Sequence, residues 1–232
     1  MARGRSANYD DQRKLILQQA AQLFAQSGYP ATSMNQVARA CGLSKATLYH
    51  YVRDKDSLLL QIAEGHVSRL QVMVDEVCAL GLPPEPRLRL LIERTMAEYA
   101  GAQQAHRVLT EDVRFLQPND RQRVLDKQRH VVRAVATAMG ELRPDLQAAR
   151  LHKPLAMLLF GSINWMFTWL RAEGPLRHAD MAPLVADLLF GGIAAVRLPA
   201  SPARRMPSHG LSDNRATPHR AKVGRPVQAQ PK

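Results

Sequence analysis

The sequence predicts an all-α fold of about nine helices, and three observations support this prediction. Apolar residues recur at helical spacing, and in the first predicted helix they are Ile16, Ala20, Leu23 and Phe24. No segment shows sustained alternation of apolar and polar residues between turns, so no β-strand is predicted. Glycine and proline fall between the periodic segments, where they end helices.

Residues 33–52 predict two short helices joined by a tight turn, which is a helix-turn-helix. Ser33 followed by Gln36 is the pattern of a capping box at the start of the first helix. Gly42 ends that helix, because glycine accepts the left-handed conformation found just past a helix end. Ser44 is then the N-cap of the second helix.

The second helix of this motif predicts a polar, partly cationic face. Lys45, Thr47, Tyr49 and His50 fall on the side away from the apolar Leu48. Such side chains can reach phosphates and base edges when a helix enters the major groove of DNA. The alternative is an ordinary helical hairpin with a solvated face.

The other helices follow from periodicity and from the breaks between segments. One helix is predicted before the motif, at 11–27. The later helices are predicted at 55–80, 86–102, 104–116, 120–142, 145–173 and 181–198. The helix at 55–80 would bridge the motif and the rest of the chain. We therefore predict four regions: a flexible basic arm at 1–10, a helix-turn-helix domain at 11–71, a helical domain at 72–198 and a disordered tail at 199–232.

The chain is basic, with 32 Lys and Arg against 20 Asp and Glu and a net charge of +12. This excess suggests a polyanionic partner, either nucleic acid or a membrane surface. Half of the excess lies in the proline-rich tail, where seven Lys and Arg stand against Asp213. That tail has too few large apolar residues to fold. Arg3 and Arg5 of the arm either touch DNA or belong to a disordered end without a role.

The sequence argues against several other classes of protein. Cys41 and Cys78 make no disulfide framework and are expected to be buried thiols of a cytoplasmic protein. The most apolar run, 154–170, is shorter than a membrane span and is expected to be a buried helix, and no secretory signal is expected. No spacing matches a metal site, a phosphate loop or a nucleophile elbow. We therefore expect no enzyme activity, no cofactor and no metal, with the isolated histidines either at the surface or hydrogen-bonded in the core.

The N-terminal part resembles the DNA-binding domain of the TetR family of regulators. The matching segments are A-A-Q-L-F-A-Q-S-G-Y at 20–29, A-T-S-M at 31–34, V-A-R-A-C-G-L-S-K-A-T-L-Y-H-Y at 37–51 and D-K-D-S-L at 54–58. The chain departs from the family pattern at Cys41, where alanine is usual, and at Tyr51, where phenylalanine is usual. Both are mild changes at core-type positions.

This resemblance implies a homodimer that binds a palindromic double-stranded DNA operator through two recognition helices one turn apart. The expected phosphate contacts are Thr32, Ser33, Tyr49 and Lys55, the last because the matching family lysine meets phosphate. The expected residues near base edges are Lys45, Thr47 and His50, and Ser44 at the start of the helix is also expected to contact DNA. Capping alone is the alternative role for the hydroxyl groups.

The C-terminal domain is expected to bind a small-molecule effector and to form the dimer. The segment G-S-I-N-W-M-F-T-W-L-R-A-E-G-P-L at 161–176 resembles one found in TetR-type regulators of acyl-CoA breakdown. This resemblance implies an acyl-CoA thioester as effector, and another apolar small molecule is the alternative. The predicted pocket residues are Met157, Phe160, Asn164, Trp165 and Thr168. Core packing is the alternative for the aromatic residues, and a bond within the protein is the alternative for Asn164.

The small residues Gly191, Gly192 and Ala195 would let two copies of the last helix pack closely across a two-fold axis. The function predicted is therefore that of a repressor released by its ligand. Two alternatives remain at this stage. One is a helical acyl-CoA-binding or lipid-binding protein, or an enzyme, without operator binding, and the other is an architectural DNA-binding protein without an effector.

Overall fold

A computed structural model describes residues 7–170 and 174–198 of the chain, and this part is all-helical. Ten α-helices are present: α1 Ala7–Ser27, α2 Met34–Ala40, α3 Lys45–Tyr51, α4 Lys55–Ala79, α5 Pro84–Gly101, α6 Gln103–Glu111, α7 Pro118–Leu142, α8 Pro144–Ala148, α9 His152–Asn164 and α10 His178–Ala195. Short 3₁₀ helices cover Val113–Phe115 and Trp165–Thr168. The predicted fold class is confirmed. The predicted tail at 199–232 and residues 1–6 of the predicted arm lie outside the described residues.

Several helix boundaries differ from those predicted. Residues 7–10, which were assigned to the flexible arm, form the first turn of α1. The single helix predicted at 145–173 is instead divided into α8, α9 and a 3₁₀ segment. The division occurs at Arg150, whose φ of 60° is left-handed, while Leu151 N–H donates to Leu146 O at 2.8 Å. This is a helix-ending motif that usually contains glycine, so the sequence carried no signal for it.

The last helix also begins earlier than predicted. α10 starts at His178, and the Asp180 carboxylate accepts a hydrogen bond from Arg177 N–H at 2.8 Å. Asp180 therefore stabilises the first turn from within the helix instead of standing before it as the N-cap. Pro183 lies inside α10 close to its start.

The described chain packs around two hydrophobic cores. We name the first the head core; it lies between α1, α2, α3, the first half of α4, α6 and the start of α7, and it includes Phe24, Leu48, Val67 and Val124. We name the second the body core; it lies between the second half of α4, α5, α7, α8, α9 and α10, and it includes Leu70, Leu91 and Leu146. α4 and α7 contribute to both cores.

α4 passes from the head core to the body core between Val67 and Leu70, which agrees with its predicted bridging position. α6 belongs to the head core through Val108 and Leu109 and packs against α1 and α4. The sequence had grouped the corresponding segment with the C-terminal region. An element that follows α5 in the chain therefore completes the support of the N-terminal helices.

The thiols do not both lie where they were expected. Cys41 is partly buried, but Cys78 is exposed near the end of α4. No helix within the described ranges 7–170 and 174–198 is long and apolar enough to cross a membrane.

Candidate DNA-binding surface and effector cavity

The turn between α2 and α3 is fixed by local hydrogen bonds that the sequence predicted. Ser33 Oγ accepts from Gln36 N–H at 3.3 Å, and Gln36 Oε1 accepts from Ser33 N–H at 2.7 Å. Gly42 has a φ of 66°, and the following Leu43 N–H donates to Ala38 O at 2.9 Å. The bond to Ala38 O closes α2 and sets the direction in which the chain enters α3.

α3 is anchored by one side and exposed on the other. Ser44 Oγ caps the helix by accepting from Thr47 N–H at 3.0 Å. Leu48 is 0% exposed in the head core, whereas Lys45, Tyr49 and His50 are exposed. Lys45 has no ion-pair partner among the described residues, so its charge is available to an external anion. The short helix thus presents a polar, cationic face to solvent.

Two of the predicted phosphate ligands have other partners. The Thr32 side chain is buried, and its hydroxyl donates to Gly28 O at 3.0 Å. Lys55 Nζ lies 3.0 Å from both Tyr29 O and Thr32 O, and 4.4 Å from the centre of the Tyr29 ring. Both side chains therefore hold the turn before α2 in this geometry, which does not favour direct phosphate contact for either. Ser33 remains exposed at the start of α2.

A cavity of about 400 Å³ lies within the helical body, at the level where α4, α5, α6, α7 and α9 meet. This volume falls in the range typical of small-molecule sites. Its walls are mainly apolar. The apolar lining residues are Val67, Leu70, Leu109, Leu125, Val131, Val132, Ala136, Met157 and Phe160.

The cavity wall also carries a buried polar network. Tyr99 Oη donates to Asn164 Oδ1 at 2.9 Å, and the Tyr99 ring stacks on the His106 ring with centres 3.6 Å apart. His106 Nδ1 lies 3.3 Å from His66 Nε2, and His66 Nδ1 lies 3.3 Å from Arg69 Nη2. Hydrogen bonds and ring stacking thus link four side chains from α4, α5, α6 and α9, and Arg69 is the outermost member of this network.

Burial keeps the titratable members of this network neutral. It lowers the pKa of His66 to about 3, with smaller effects from His106 and Arg69. It lowers the pKa of His106 to about 4, with a smaller effect from His178. It also raises the pKa of Tyr99 well above its usual range. All three groups therefore act as uncharged hydrogen-bonding groups at neutral pH.

Basic side chains line one part of the same cavity. Arg129, Arg133 and Lys153 are exposed, so the cavity reaches solvent beside them. Arg129 pairs with Asp126 at 2.5 Å, whereas Arg133 and Lys153 have no ion-pair partner among the described residues. None of the described residues that line the cavity is Asp or Glu. The opening is therefore positively charged and the interior apolar.

The predicted pocket residues separate into two groups. Met157, Phe160 and Asn164 line the cavity. Trp165 and Thr168 do not belong to its lining; both lie in the 3₁₀ segment after α9, and Trp165 is 66% exposed.

Sequence reasoning missed the cavity residues on the other helices. The histidines at 66 and 106 were each interpreted as isolated, but their rings lie in one network although 40 positions separate them in the chain. Arg129 and Arg133 of α7 were not among the predicted pocket residues. Helical phase places Arg129 and Arg133 on one side of α7, but no local pattern indicates that α9 lies opposite.

The predicted dimer residues lie on an exposed apolar face of α10. Gly191, Gly192 and Ala195 are exposed, and Leu188 one turn before them is 78% exposed. α9 has a similar face, on which Leu158 is 68% exposed. Large apolar side chains left in solvent on the faces of helices are typical of an interface. Within the described part of the chain, no cluster of three or more His, Cys, Asp or Glu side chains could hold a metal ion.

Comparison with known proteins gives a consistent result for both parts of the chain. A family profile described as bacterial regulatory proteins of the tetR family matches residues 16–62. A second profile, described as the C-terminal domain of tetracyclin repressor-like proteins, matches residues 81–193. A solved TetR-family transcriptional regulator from Bordetella parapertussis 12822 is 32% identical, with a TM-score of 0.73, and the match covers 76% of this chain and 93% of that one.

Two further relatives carry functional names of their own. The HTH-type transcriptional repressor KstR2 of Rhodococcus jostii is 24% identical over 191 residues, which is 79% of this chain and 91% of that protein. The solved complex of AibR with isovaleryl coenzyme A and operator DNA is 23% identical, with a TM-score of 0.68, and the match covers 77% of this chain and 98% of that one.

Proposed function

The chain belongs to the TetR family of DNA-binding transcriptional regulators, and from this premise we propose that it is a ligand-released repressor. In this proposal a homodimer binds a palindromic operator and leaves it when an acyl-CoA thioester enters the helical body. The proposal rests on one combination of features. α3 has an exposed cationic face, and the helical body holds a mainly apolar cavity with basic side chains at its opening. Chromosomal DNA as the target implies action in the cytoplasm.

The proposed contacts with DNA come mainly from α3 and from the start of α2. Lys45, Thr47 and His50 lie near base edges, and Tyr49 and Ser33 meet phosphate oxygens. Ser44 stands beside them at the start of α3, where its side chain caps the helix and its exposed position lets it contact the DNA backbone as well. Thr32 and Lys55 contribute indirectly, because they hold the turn that orients α2.

The proposed dimer forms through α9 and α10. Their exposed apolar residues fall at helical spacing, with Leu184, Leu188, Gly191 and Ala195 along one side of α10. Close packing of these faces across a two-fold axis would give a four-helix bundle. Two copies of α3 would then be related by the same axis, as a palindromic operator requires.

The proposed effector class follows from the chemistry of the cavity. An apolar interior of about 400 Å³ suits an acyl chain, but it is too small for a whole coenzyme A. The unpaired charges of Arg133 and Lys153 at the opening suit the phosphates that would remain outside. AibR, which shares this fold, is described with isovaleryl coenzyme A bound, and that description supports the same class here.

The proposed coupling runs through α4 and α6. Both helices line the cavity, and both contribute apolar residues to the head core. A ligand that favours one arrangement of α4 and α6 would change the separation of the two α3 helices in the dimer. It can release DNA only to the extent that it binds the released state more tightly.

DNA binding is tested by replacing Lys45 and Tyr49 together with alanine. Both side chains are exposed, so the variant should keep its melting temperature and its oligomeric state while losing specific retention of the adjacent intergenic DNA. Arg94→Ala on α5 is the matched control, since it removes an exposed charge from the body. Unchanged retention by the double variant would contradict the proposed surface.

The repressor is distinguished from a lipid-binding protein by two measurements. Specific retention whose logarithmic affinity falls steeply with the logarithm of salt concentration supports the regulator. A panel of acyl-CoA thioesters should raise the melting temperature and weaken retention, because the ligand binds only folded protein. Thioester binding without any specific DNA retention would favour the lipid-binding alternative. An operator-linked reporter that gains transcription on deletion of the protein identifies repression.

A further inference from the structure

His106 is the most deeply buried polar side chain of the cavity wall that has an unused hydrogen-bonding atom. The residue is 4% exposed and lines the cavity, and its Nε2 is buried with no hydrogen-bond partner. A buried ring nitrogen without a partner is uncommon in folded proteins, because the group has lost its water without gaining a replacement. A bound ligand is one way in which such an atom gains a partner.

The neighbouring side chains determine which kind of partner His106 Nε2 needs. A guanidinium can only donate, so Arg69 Nη2 donates to His66 Nδ1 across 3.3 Å. A neutral His66 that accepts at Nδ1 carries its proton on Nε2, and it donates that proton to His106 Nδ1 across 3.3 Å. His106 then accepts at Nδ1 and carries its own proton on Nε2. The unused atom is therefore a donor.

The two rings are held in these neutral forms by their surroundings. Burial lowers the pKa of both histidines far below neutral pH, so neither ring carries a second proton. The Tyr99 ring stacked on His106 fixes the plane of the imidazole. Position and tautomer are thus both determined before any ligand enters.

A second donor stands on the same wall. Asn164 also lines the cavity, and its Oδ1 accepts from Tyr99 Oη at 2.9 Å. Its amide nitrogen therefore has two N–H groups, for which the described residues provide no acceptor. The polar part of the wall consequently offers donors to the cavity.

We propose that His106 Nε2–H is the group that recognises an acceptor oxygen of the effector, with the Asn164 amide as a supporting donor. The class of ligand required is one that carries a carbonyl oxygen on an apolar chain. A purely hydrocarbon guest would leave both donors without partners and would bind less tightly. This inference rests on the proposed effector site and identifies the atom that donates a hydrogen bond to the acyl carbonyl oxygen.

The test compares two ligands that differ only at the carbonyl group. Octanoyl-CoA has the thioester oxygen, and S-octyl-CoA is the corresponding thioether without it. Titration calorimetry with the wild-type protein should show octanoyl-CoA binding about tenfold more tightly, the factor expected for one hydrogen bond. His106→Phe should remove most of this preference, because it removes the main donor while keeping an apolar ring and leaves only the supporting Asn164 amide.

His106→Gln is the matched variant, because its amide nitrogen can place a donor near the former Nε2. It should retain most of the preference for octanoyl-CoA. Equal preference in the wild type and in His106→Phe, or no preference in the wild type, would overturn the proposal. A preference lost in both variants would also count against it, since the effect would then follow from packing around the ring.

A second ligand pair, without coenzyme A, distinguishes a wrong acyl-CoA assignment from a wrong donor role of His106. Octan-2-one and octane differ in the same way, and they do not need the basic opening. If neither CoA compound binds but octan-2-one binds better than octane through His106, the donor role stands and the coenzyme A class is wrong. If octan-2-one shows no such preference either, the donor role is wrong.

Nitrogen NMR of the histidine rings provides a readout that does not depend on ligand affinity. The long-range proton–nitrogen spectrum of the folded protein should show His106 with its proton on Nε2. Addition of octanoyl-CoA should shift that nitrogen more than S-octyl-CoA does. A His106 proton found on Nδ1 would overturn the tautomer assignment and the proposal with it.

Discussion

The helices around the head core and those around the body core are of the same kind, but several of them begin and end in different ways. In the head, α2 ends at Gly42, α3 begins after Ser44 and α4 begins after Asp54, and each residue makes the cap that its type favours. In the body, α8 ends at the left-handed Arg150, and α9 begins without a side-chain cap. The boundaries of α2, α3 and α4 are therefore set by residues whose types favour those caps, whereas the residue types between α8 and α9 do not signal the turn that the chain makes there.

The two regions differ in the same way at their functional surfaces. The exposed face of α3 is built from residues within seven positions of one another. The cavity draws its walls from five helices between Val67 and Asn164. A surface for DNA can therefore be encoded in one short segment, whereas an effector site requires the body to be assembled.

The prediction with the largest expected effect tests whether the head core unfolds independently of the body core. Leu48→Ala removes a fully buried side chain from the head core and should lower the free energy of unfolding by ~2–5 kcal/mol. Since α4, α6 and α7 join both parts, we expect one cooperative transition in urea, followed by circular dichroism. Leu15→Ala, at a half-exposed position of α1, is the control and should have little effect. A separate early transition of the head would show that the two cores are not coupled.

The next effect is expected from acid and concerns the body. The folded pKa values of His66 and His106, about 3 and 4, lie below the ordinary value of 6.5. The unfolded chain therefore binds more protons below pH 6.5. The stability that these groups contribute is complete above that pH and is lost as pH falls toward the folded values. We expect a loss of about 2 kcal/mol per histidine, roughly 4 kcal/mol for the pair, between pH 7 and pH 5.

Thermal unfolding at several pH values measures this acid effect, and a His66→Gln/His106→Gln variant provides its control. The variant should show a flatter dependence over the same window, because the two titrating groups are absent. A wild-type melting temperature that does not change between pH 7 and pH 5 would mean that these rings are not buried as neutral groups.

The smallest expected effects come from two glycine substitutions, one in the turn after α2 and one inside α4. Gly42 has a φ of 66° with open space around an added Cβ, so Gly42→Ala should cost about 1–2 kcal/mol through backbone strain alone. Gly65 lies within α4 with similar open space and no left-handed φ. Gly65→Ala should therefore stabilise by ~0.5–1 kcal/mol. Chemical denaturation of the two variants should give changes of opposite sign, and equal signs would contradict the local account of the turn.

The parts of the fold that could be predicted are those in which a residue acts on its own neighbourhood. The capping box of Ser33 and Gln36, the glycine at Gly42 and the N-cap at Ser44 together predicted the ends of the two helices of the motif. Leu48 was correctly assigned to its buried side, because helical periodicity places it opposite the polar residues of α3. The break at Arg150 could not be predicted, since arginine has no preference for the left-handed region and is held there by hydrogen bonds of the surrounding turn.

The sites show the same limit. Asn164 and Phe160 were identified as pocket residues from one apolar helix, but Trp165 was included with them because the predicted helix ran on past its true end. Lys55 has the charge expected of a phosphate ligand. Nothing in the sequence around this first residue of α4 indicates that three carbonyl oxygens surround its ammonium group.

The sequence alone determined the helical class, the turn between α2 and α3 and the polar face of α3, because these depend on side chains bonding to their own backbone or repeating with helical period. Only the tertiary structure decided that α6 supports the head, that His66 meets His106, and that Arg133 and Lys153 border one cavity. Those relations depend on how distant helices pack. Packing sums many weak contacts over the whole chain, and no short segment carries that sum.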